Sequence, residues 1–426
     1  MKKDILILSS FFEKNLIESI YFSDKTLKNI NYIEQIKVIK KKSYFSRIDL
    51  NHFFLSKFES FEIFVGAEIA LKKLCTEEKI IFSSEEKVIL DLINRWQPKI
   101  IIFRDINCFS IKKLLEHKNS NNLTFKTILL NGFPIRNEKD YYFFDCVVFR
   151  NPWLIDNFSN ICKKTYLIYH CFNSEILKKI NLKEFEDKTK TITFDGSSYS
   201  DGFYSHKKRY YYLYNLISQK LITANIYEKN NFFHKLSYYL YLISVNLNNS
   251  DKIIIQILKS ISKSNQVLFK KYYKRLDSII ENIENFNSSK YEKFYRGPLS
   301  FNFKKIIGKP NFGLDYYENI NDSKLCLNIH TEAMGNTAGN IRLFEITGMQ
   351  SCMLTENFKN VKDLFEPDKE IITYDNFNDL KDKIQFLTNN KNLVKEVSIN
   401  GHKRLKKDHT DKIRSAEYLK LINDLI

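Results

Sequence analysis

No uninterrupted apolar run approaches the roughly 18 residues that would suggest a membrane span, although 43% of the 426 residues are hydrophobic, enough for real cores. There is no Cys-x-x-Cys pair. The seven cysteines are scattered and odd in number, which fits reduced thiols in a cytoplasmic protein and excludes an obvious disulfide framework. The start, MKKDILILSSFFEKN, is charged, but Asp4 interrupts it and no small-residue cleavage site follows, so it reads as a first strand and not a signal peptide. Zinc-finger spacing, a basic heptad region and an RNA-recognition signature are all missing, which argues against specific nucleic-acid recognition. Tandem repeats and long low-complexity tails are absent too. So is the acidic pair Asp-x-Asp, anywhere in the chain.

What is present begins with charge. Lys and Arg exceed Asp and Glu by 17. The excess is nearly all lysine and travels with abundant Asn, Ile, Phe and Tyr, residues with AT-rich codons, so genome bias explains much of it. The summed field still attracts anionic lipid or polyanionic substrates. The length exceeds what one core usually fills, which predicts two domains.

Apolar runs alternate with helical patterns. DILILSS (4–10), FEIFVG (61–66), KIIIFRD (99–105), FKTILLNG (125–132), CVVFR (146–150) and TYLIYHCF (165–172) read as strands, most of them buried on both faces, and EEKVILDLINRWQP (85–98) reads as an amphipathic helix between two of them. Such alternation predicts a doubly wound parallel sheet. After a charged linker over 181–190 the pattern restarts with TITFDGSS (191–198) and a helix from about His206 to Lys220. Residues 230–290 are helical in pattern, aromatic-rich and free of Gly and Pro, an inserted helical subdomain. LCLNIH (325–330), SCMLTEN (351–357) and EIITYD (370–375) then resume the strands, and C-terminal helices follow. The expectation is an α/β chain of two doubly wound domains with a cleft between them, over residues 1–185 and 186–405, followed by a terminal helix over 406–426.

In open α/β sheets ligands bind beyond the carboxyl ends of the strands. The residues there are Asp105, Asn131-Gly132, Arg150 and His170 in the first domain, and Gly196-Ser197, His330 and the loop leading to Arg342 in the second. The stretch from Leu325 to Asn357, LCLNIHTEAMGNTAGNIRLFEITGMQSCMLTEN, carries most information. It reads as strand, Gly/Asn-rich loop, short helix and strand, with Arg342 in the first helical turn and Glu345 one turn later. A bland alternative is a surface Arg–Glu pair.

The run from Gly308 to Phe377 and the closing NGHKRLKKDHTDKIRSAEYL resemble the C-terminal domain of CgeB-like (group 1) glycosyltransferases of the GT-B fold, through "LN-x-H", "N-x-R-L-F-E-x-x-G" and "H-T-x-x-x-R". The likeness covers about 120 residues strongly, the first domain's start loosely and the central helices poorly. The resemblance implies two Rossmann-like domains facing a cleft, residues 1–185 on the acceptor side and 186–405 binding the donor, with the terminal helix over 406–426 packing back on the first domain. It implies a nucleotide-sugar donor in the second domain, bound through Gly196, Ser197, Arg209, His330, Asn336, Asn340, Arg342 and Glu345, with His206 a further phosphate candidate. Arg342 would meet the leaving diphosphate's charge in place of a metal, and Glu345 would accept the ribose hydroxyls. No cofactor and no metal are expected. Asp105 and His170 are the candidates for a general base. The acceptor would be a surface glycan, a protein or a lipid-linked saccharide, handled in the cytoplasm or against the membrane's inner face. Thr337 stands where retaining relatives of the fold carry the first glutamate of Glu-x7-Glu, leaving stereochemistry open. The turn Gly348-Met349-Gln350-Ser351 departs from the family's small-residue turn, which suggests an altered contact near the nucleotide. The rival reading is a non-catalytic module that kept the donor domain.

Overall fold

The computed structural model describes residues 3–10, 14–43, 57–133, 138–198, 207–228 and 299–426; the expected insertion over 230–290 and His206 lie outside these. The first sheet holds β1 (Ile5–Ser10), β2 (Ser60–Val65), β3 (Ile100–Phe103), β4 (Lys126–Asn131), β5 (Cys146–Phe149) and β6 (Thr165–Leu167), all parallel in the order β2-β1-β3-β4-β5-β6. Its strands are mostly apolar because both faces are covered, with buried polar exceptions such as Ser9, Glu62 and Thr127. Leu6 and Leu8 point into a core shared with Leu92, Ile93 and Trp96, whereas Ile5 and Ile7 face the other way. The helix supplying those partners, Glu85–Trp96, starts where the Ser84 side chain accepts the Lys87 amide hydrogen and stops where Gln97 turns left-handed.

The second sheet holds β7 (Lys190–Ser197), β8 (Thr223–Tyr227), β9 (Ile307–Gly308), β10 (Ser323–Leu327), β11 (Cys352–Glu356) and β12 (Ile372–Tyr374), again parallel, in the order β12-β11-β10-β7-β8-β9. β8 and β9 were not anticipated: in β8, TANIY, Thr223 and Asn225 interrupt the apolar residues so that no unbroken run marks it, and β9 is two residues long. In each sheet the winding reverses beside the first strand, between β1 and β3 and between β7 and β10. These are the two topological switch points, where parallel sheets open a crevice.

The strand expected over 165–172 ends at Leu167, and the chain then crosses. Phe172, Ile176 and Ile180 pack into the second domain's core with Phe344 and Met353. Part of the second core is therefore built from residues ahead of 185. The return crossing is made by the helix Asp411–Asn423, which buries Tyr418, Leu421 and Ile422 against Ile5, Ile7, Ile100 and Ile102 of the first sheet. At the junction Phe172 bridges Thr410, the Ser174 hydroxyl bonds to Asp411, and Arg414 reaches both the His170 carbonyl at 3.4 Å and His409 Nδ1 at 3.0 Å. Among the described residues no helix is long and apolar enough to cross a membrane.

Candidate active site

The crevice at the second switch point is built by three short segments. β7 ends in Asp195-Gly196-Ser197, β10 runs out through Asn328-Ile329-His330, and the helix Arg342–Gly348 begins opposite them. Arg209, from the helix Lys207–Ser218, ties the two strand ends together. Its Nε and Nη2 donate to the Ile329 carbonyl (3.0 and 2.6 Å) and its Nη1 to the Ser197 carbonyl (3.2 Å). Burial first, then the neighbouring Arg342, push its pKa down to about 9. Arg209 is thus buried in backbone bonds, and what it offers a ligand directly is charge.

Arg342 is placed differently. Its guanidinium lies 5.1 Å over the Phe194 ring and against Gly196, where any added Cβ would collide with it. Gly196 has φ +151°, in the region that favours glycine, so sequence and backbone agree on the missing side chain. The Arg342 Nε is buried without a hydrogen-bond partner. Burial disfavours its charge, but Tyr316, Glu345 and Asp195 together outweigh that and hold it protonated.

Glu345 is 4% exposed, and its two carboxylate oxygens accept the hydroxyls of Tyr316 (2.8 Å) and Tyr317 (3.0 Å). Burial raises its pKa against the opposing pull of Tyr316 and Arg342. Beneath Arg342, Asp195 accepts amide hydrogens from Asn319 and, at 3.1 Å, from Asn311. Asp195, Tyr316 and Tyr317 were missed in the sequence. The only signals were an acid next to Gly196 and an aromatic pair inside the resembling motif.

His330, 3% exposed, is held by Glu356. Both carboxylate oxygens accept its backbone N–H (3.0 and 3.2 Å), and Oε2 also pairs with Nδ1 at 2.9 Å. Lys208 sits 3.4 Å from Glu356 Oε1. Burial opposes the charge on Glu356, but His330 and Lys208 keep its pKa lowered. Asn340 exchanges two hydrogen bonds with Asn328 (2.8 and 3.2 Å) and so shapes the loop, while Asn336 is exposed.

The same loop touches the first domain. Thr337 donates to Asn151 Oδ1 at 2.5 Å, and Asn151 Nδ2 donates back to the Thr337 carbonyl at 3.2 Å. A Cβ at Gly335 would strike Trp153, and one at Gly339 would lie 2.8 Å from the Arg150 carbonyl oxygen. Two glycines therefore let the loop close on the other domain. Nearby in the first domain, Arg150 and His170 flank Gly132: a Cβ there would be 3.6 Å from Arg150 Cγ and 3.9 Å from His170 Nε2. Asp105 follows β3 at the first sheet's switch point, where its carboxylate closes a turn by accepting the Asn107 N–H at 2.7 Å and side-chain amide at 2.9 Å.

One expectation fails on position. The turn Gly348-Met349-Gln350-Ser351 enters β11, so it lies at the amino ends of the strands, opposite the crevice. There the Ser351 hydroxyl donates to the carbonyls of Ile320 and Ser323, and Lys188 bonds to Ser351. Among the described residues no three His, Cys, Asp or Glu side chains group as metal ligands.

Residues 288–420 match the family model described as glycosyl transferase-like. No curated protein sequence matches the chain. Solved structures share its fold at low identity. A glycosyltransferase from Rickettsia africae ESF-5 aligns over 100% of this chain and 98% of its own, with TM-score 0.52 and 13% identity. Anabaena Alr3699/HepE, in complex with UDP and glucose, aligns over 99% of each, with TM-score 0.52 and 10% identity. An alpha-glucosyltransferase in complex with UDP-glucose and DNA containing an abasic site covers 88% of this chain and 93% of its own, with TM-score 0.51 and 8% identity. Two doubly wound sheets facing each other give the chain the GT-B fold, and its last third carries a glycosyl transferase-like domain.

Proposed function

We propose that the enzyme moves a sugar from a nucleoside diphosphate donor, seated in the crevice between β7 and β10, to a hydroxyl of a glycan, protein or lipid-linked saccharide approaching from the first domain, and that it does so without a metal ion. The observation that carries this reading is Arg342: a charged guanidinium, fixed by Phe194 and the Gly196 backbone, with a buried Nε that has no partner in the protein. Breaking the sugar–phosphate bond leaves the electron pair on the departing diphosphate. A preorganised cation in a site shielded from water stabilises that developing charge. Arg209 adds a second positive charge held in place by the strand ends. That two of the similar solved structures hold UDP or UDP-glucose supports a nucleotide-sugar donor.

Glu345 suits the ribose. Each carboxylate oxygen has two lone pairs and gives one to a tyrosine, so a diol can bond without displacing Tyr316 or Tyr317. Gly196, Ser197, Asn336 and Asn340 shape the wall on which the phosphates and sugar rest. On the acceptor side the hydroxyl oxygen bonds to the anomeric carbon, and its proton passes to Asp105 or His170 if the reaction inverts, or to the leaving phosphate if it retains. The chain's positive charge, with seven cysteines all free of disulfides, supports work in the cytoplasm against an anionic membrane face.

The test is binding of UDP, GDP, CMP and dTDP ligands by thermal shift and saturation-transfer NMR. At least one diphosphate should bind the wild type, and Arg342→Ala should weaken it by about 2 kcal/mol, the scale of a charged hydrogen bond. Unchanged affinity in Arg342→Ala would remove the proposal. Nucleotide release dependent on cell-envelope acceptor would then follow turnover.

A further inference from the structure

Building on that reading, we infer that His330 Nε2 is a sugar-hydroxyl acceptor, the group that distinguishes an intact sugar nucleotide from the bare diphosphate. The ring is fixed from every side. Arg209 holds the carbonyl of Ile329, Glu356 holds the backbone N–H and Nδ1 of His330, and Phe358 packs edge-on at 4.9 Å between centroids. Glu356 is ionised and can only accept, so the proton between it and the ring belongs to Nδ1. In the neutral ring Nε2 is then a lone pair facing no donor, and it is buried without a partner.

An unmet buried polar atom is destabilising, and proteins keep few of them without a use. Here two more lie close by in the sequence, Thr331 Oγ1 and Arg342 Nε, so three of the unmet atoms belong to the segment that runs from β10 into the Arg342 helix. They differ in chemistry. The guanidinium N–H donates and suits phosphate oxygen. The imidazole lone pair repels a phosphate oxygen and suits a hydroxyl, which a nucleoside diphosphate sugar supplies on its pyranose ring. Lys208, 3.4 Å from Glu356 Oε1, approaches the carboxylate on the oxygen that does not meet Nδ1.

The test pairs each free diphosphate with its conjugate: UDP with UDP-glucose, GDP with GDP-mannose, dTDP with dTDP-glucose. His330→Asn is the variant, because its amide N–H takes the place of Nδ1–H toward Glu356 and nothing replaces Nε2. Wild type should hold at least one conjugate more tightly than its diphosphate. His330→Asn should lose about tenfold on that conjugate, the scale of one hydrogen bond, while its affinity for the free diphosphate stays within twofold and shows that the site is folded. On the wild type itself, one of the 2-, 3-, 4- or 6-deoxy forms of that conjugate should show a similar loss, a measurement that needs no variant. Equal losses for diphosphate and conjugate in His330→Asn, no deoxy form that binds worse, or a wild type that holds no conjugate above its diphosphate would each overturn the inference. Loss of all nucleotide binding in Arg342→Ala alongside any of these leaves the donor site standing and only the role of His330 refuted.

Discussion

Acid should loosen the joint between the domains through one histidine. His409 is 5% exposed, lies between the rings of Phe344 (5.2 Å) and Phe365 (5.0 Å), and pairs through Nε2 with the Leu364 carbonyl at 2.8 Å. Its Nδ1 faces Arg414 Nη2 at 3.0 Å. A guanidinium can only donate, so Nδ1 must be the lone pair and Nε2 the N–H. Protonating Nδ1 would set N–H against N–H in a buried place. Burial, and after it Arg414, accordingly hold the pKa down to about 4 from an ordinary 6.5. With the folded pKa below the unfolded one, the unfolded chain takes the proton first, so stability is complete above pH 6.5 and declines as pH falls toward 4. Between pH 7.5 and pH 5 this single group should remove about 2 kcal/mol, within a ceiling of about 3 kcal/mol for the whole window. Urea denaturation at the two pH values measures it, with His409→Gln as reference because it keeps an amide hydrogen for Leu364 and cannot protonate. Wild type should lose about 2 kcal/mol more than the variant on acidification. Parallel losses in the two proteins would show that the imidazole is not buried against Arg414 and that the return helix is anchored in another way.

Two further outcomes follow from the same packing. Gly196→Ala places a side chain at φ +151° and against the Arg342 guanidinium. It should destabilise the fold by about 1–3 kcal/mol and weaken nucleotide binding as Arg342→Ala does, read by denaturation and thermal shift; a variant as tight as wild type would separate Gly196 from the site. In the first domain Glu62, 4% exposed, accepts from Ser9 and Lys40 at 2.5 Å and from Arg104 at 3.1 Å, and these cations hold its pKa low against burial. Glu62→Gln leaves two half-sheltered cations facing an amide and should cost about 3 kcal/mol, with nucleotide affinity intact because the network lies at the other sheet. Denaturation and a nucleotide titration check both halves, and a melting point equal to wild type would refute the first.

The composition and order of apolar runs carried the architecture because a strand buried on both faces leaves an unbroken signature in sequence. Runs such as KIIIFRD and CVVFR announced a parallel sheet, and Gly196, Arg342 and Glu345 fell where strands end and helices begin. The resemblance at the C-terminus sharpened that into an expected donor site. It was blind to strands without an unbroken apolar run: β8 interrupts its apolar residues with Thr223 and Asn225, and β9 is two residues long. It also misread position, putting the turn before Ser351 near the ligand when a residue entering a parallel strand stands at its far end.

Strand order and side-chain pairing were decided by tertiary structure alone. That β7 and β10 are neighbours, so that Arg209 can grip both, depends on contacts between residues 120 apart in the chain, which local pattern cannot encode. The same holds for Tyr316 and Tyr317 on Glu345, Glu356 on His330, and Asn151 on Thr337. Local sequence determined which residues end the strands, since backbone and burial preferences act over a few residues. Which of them share a buried crevice, and which polar atoms go unmet there, was settled only when the whole chain closed around them.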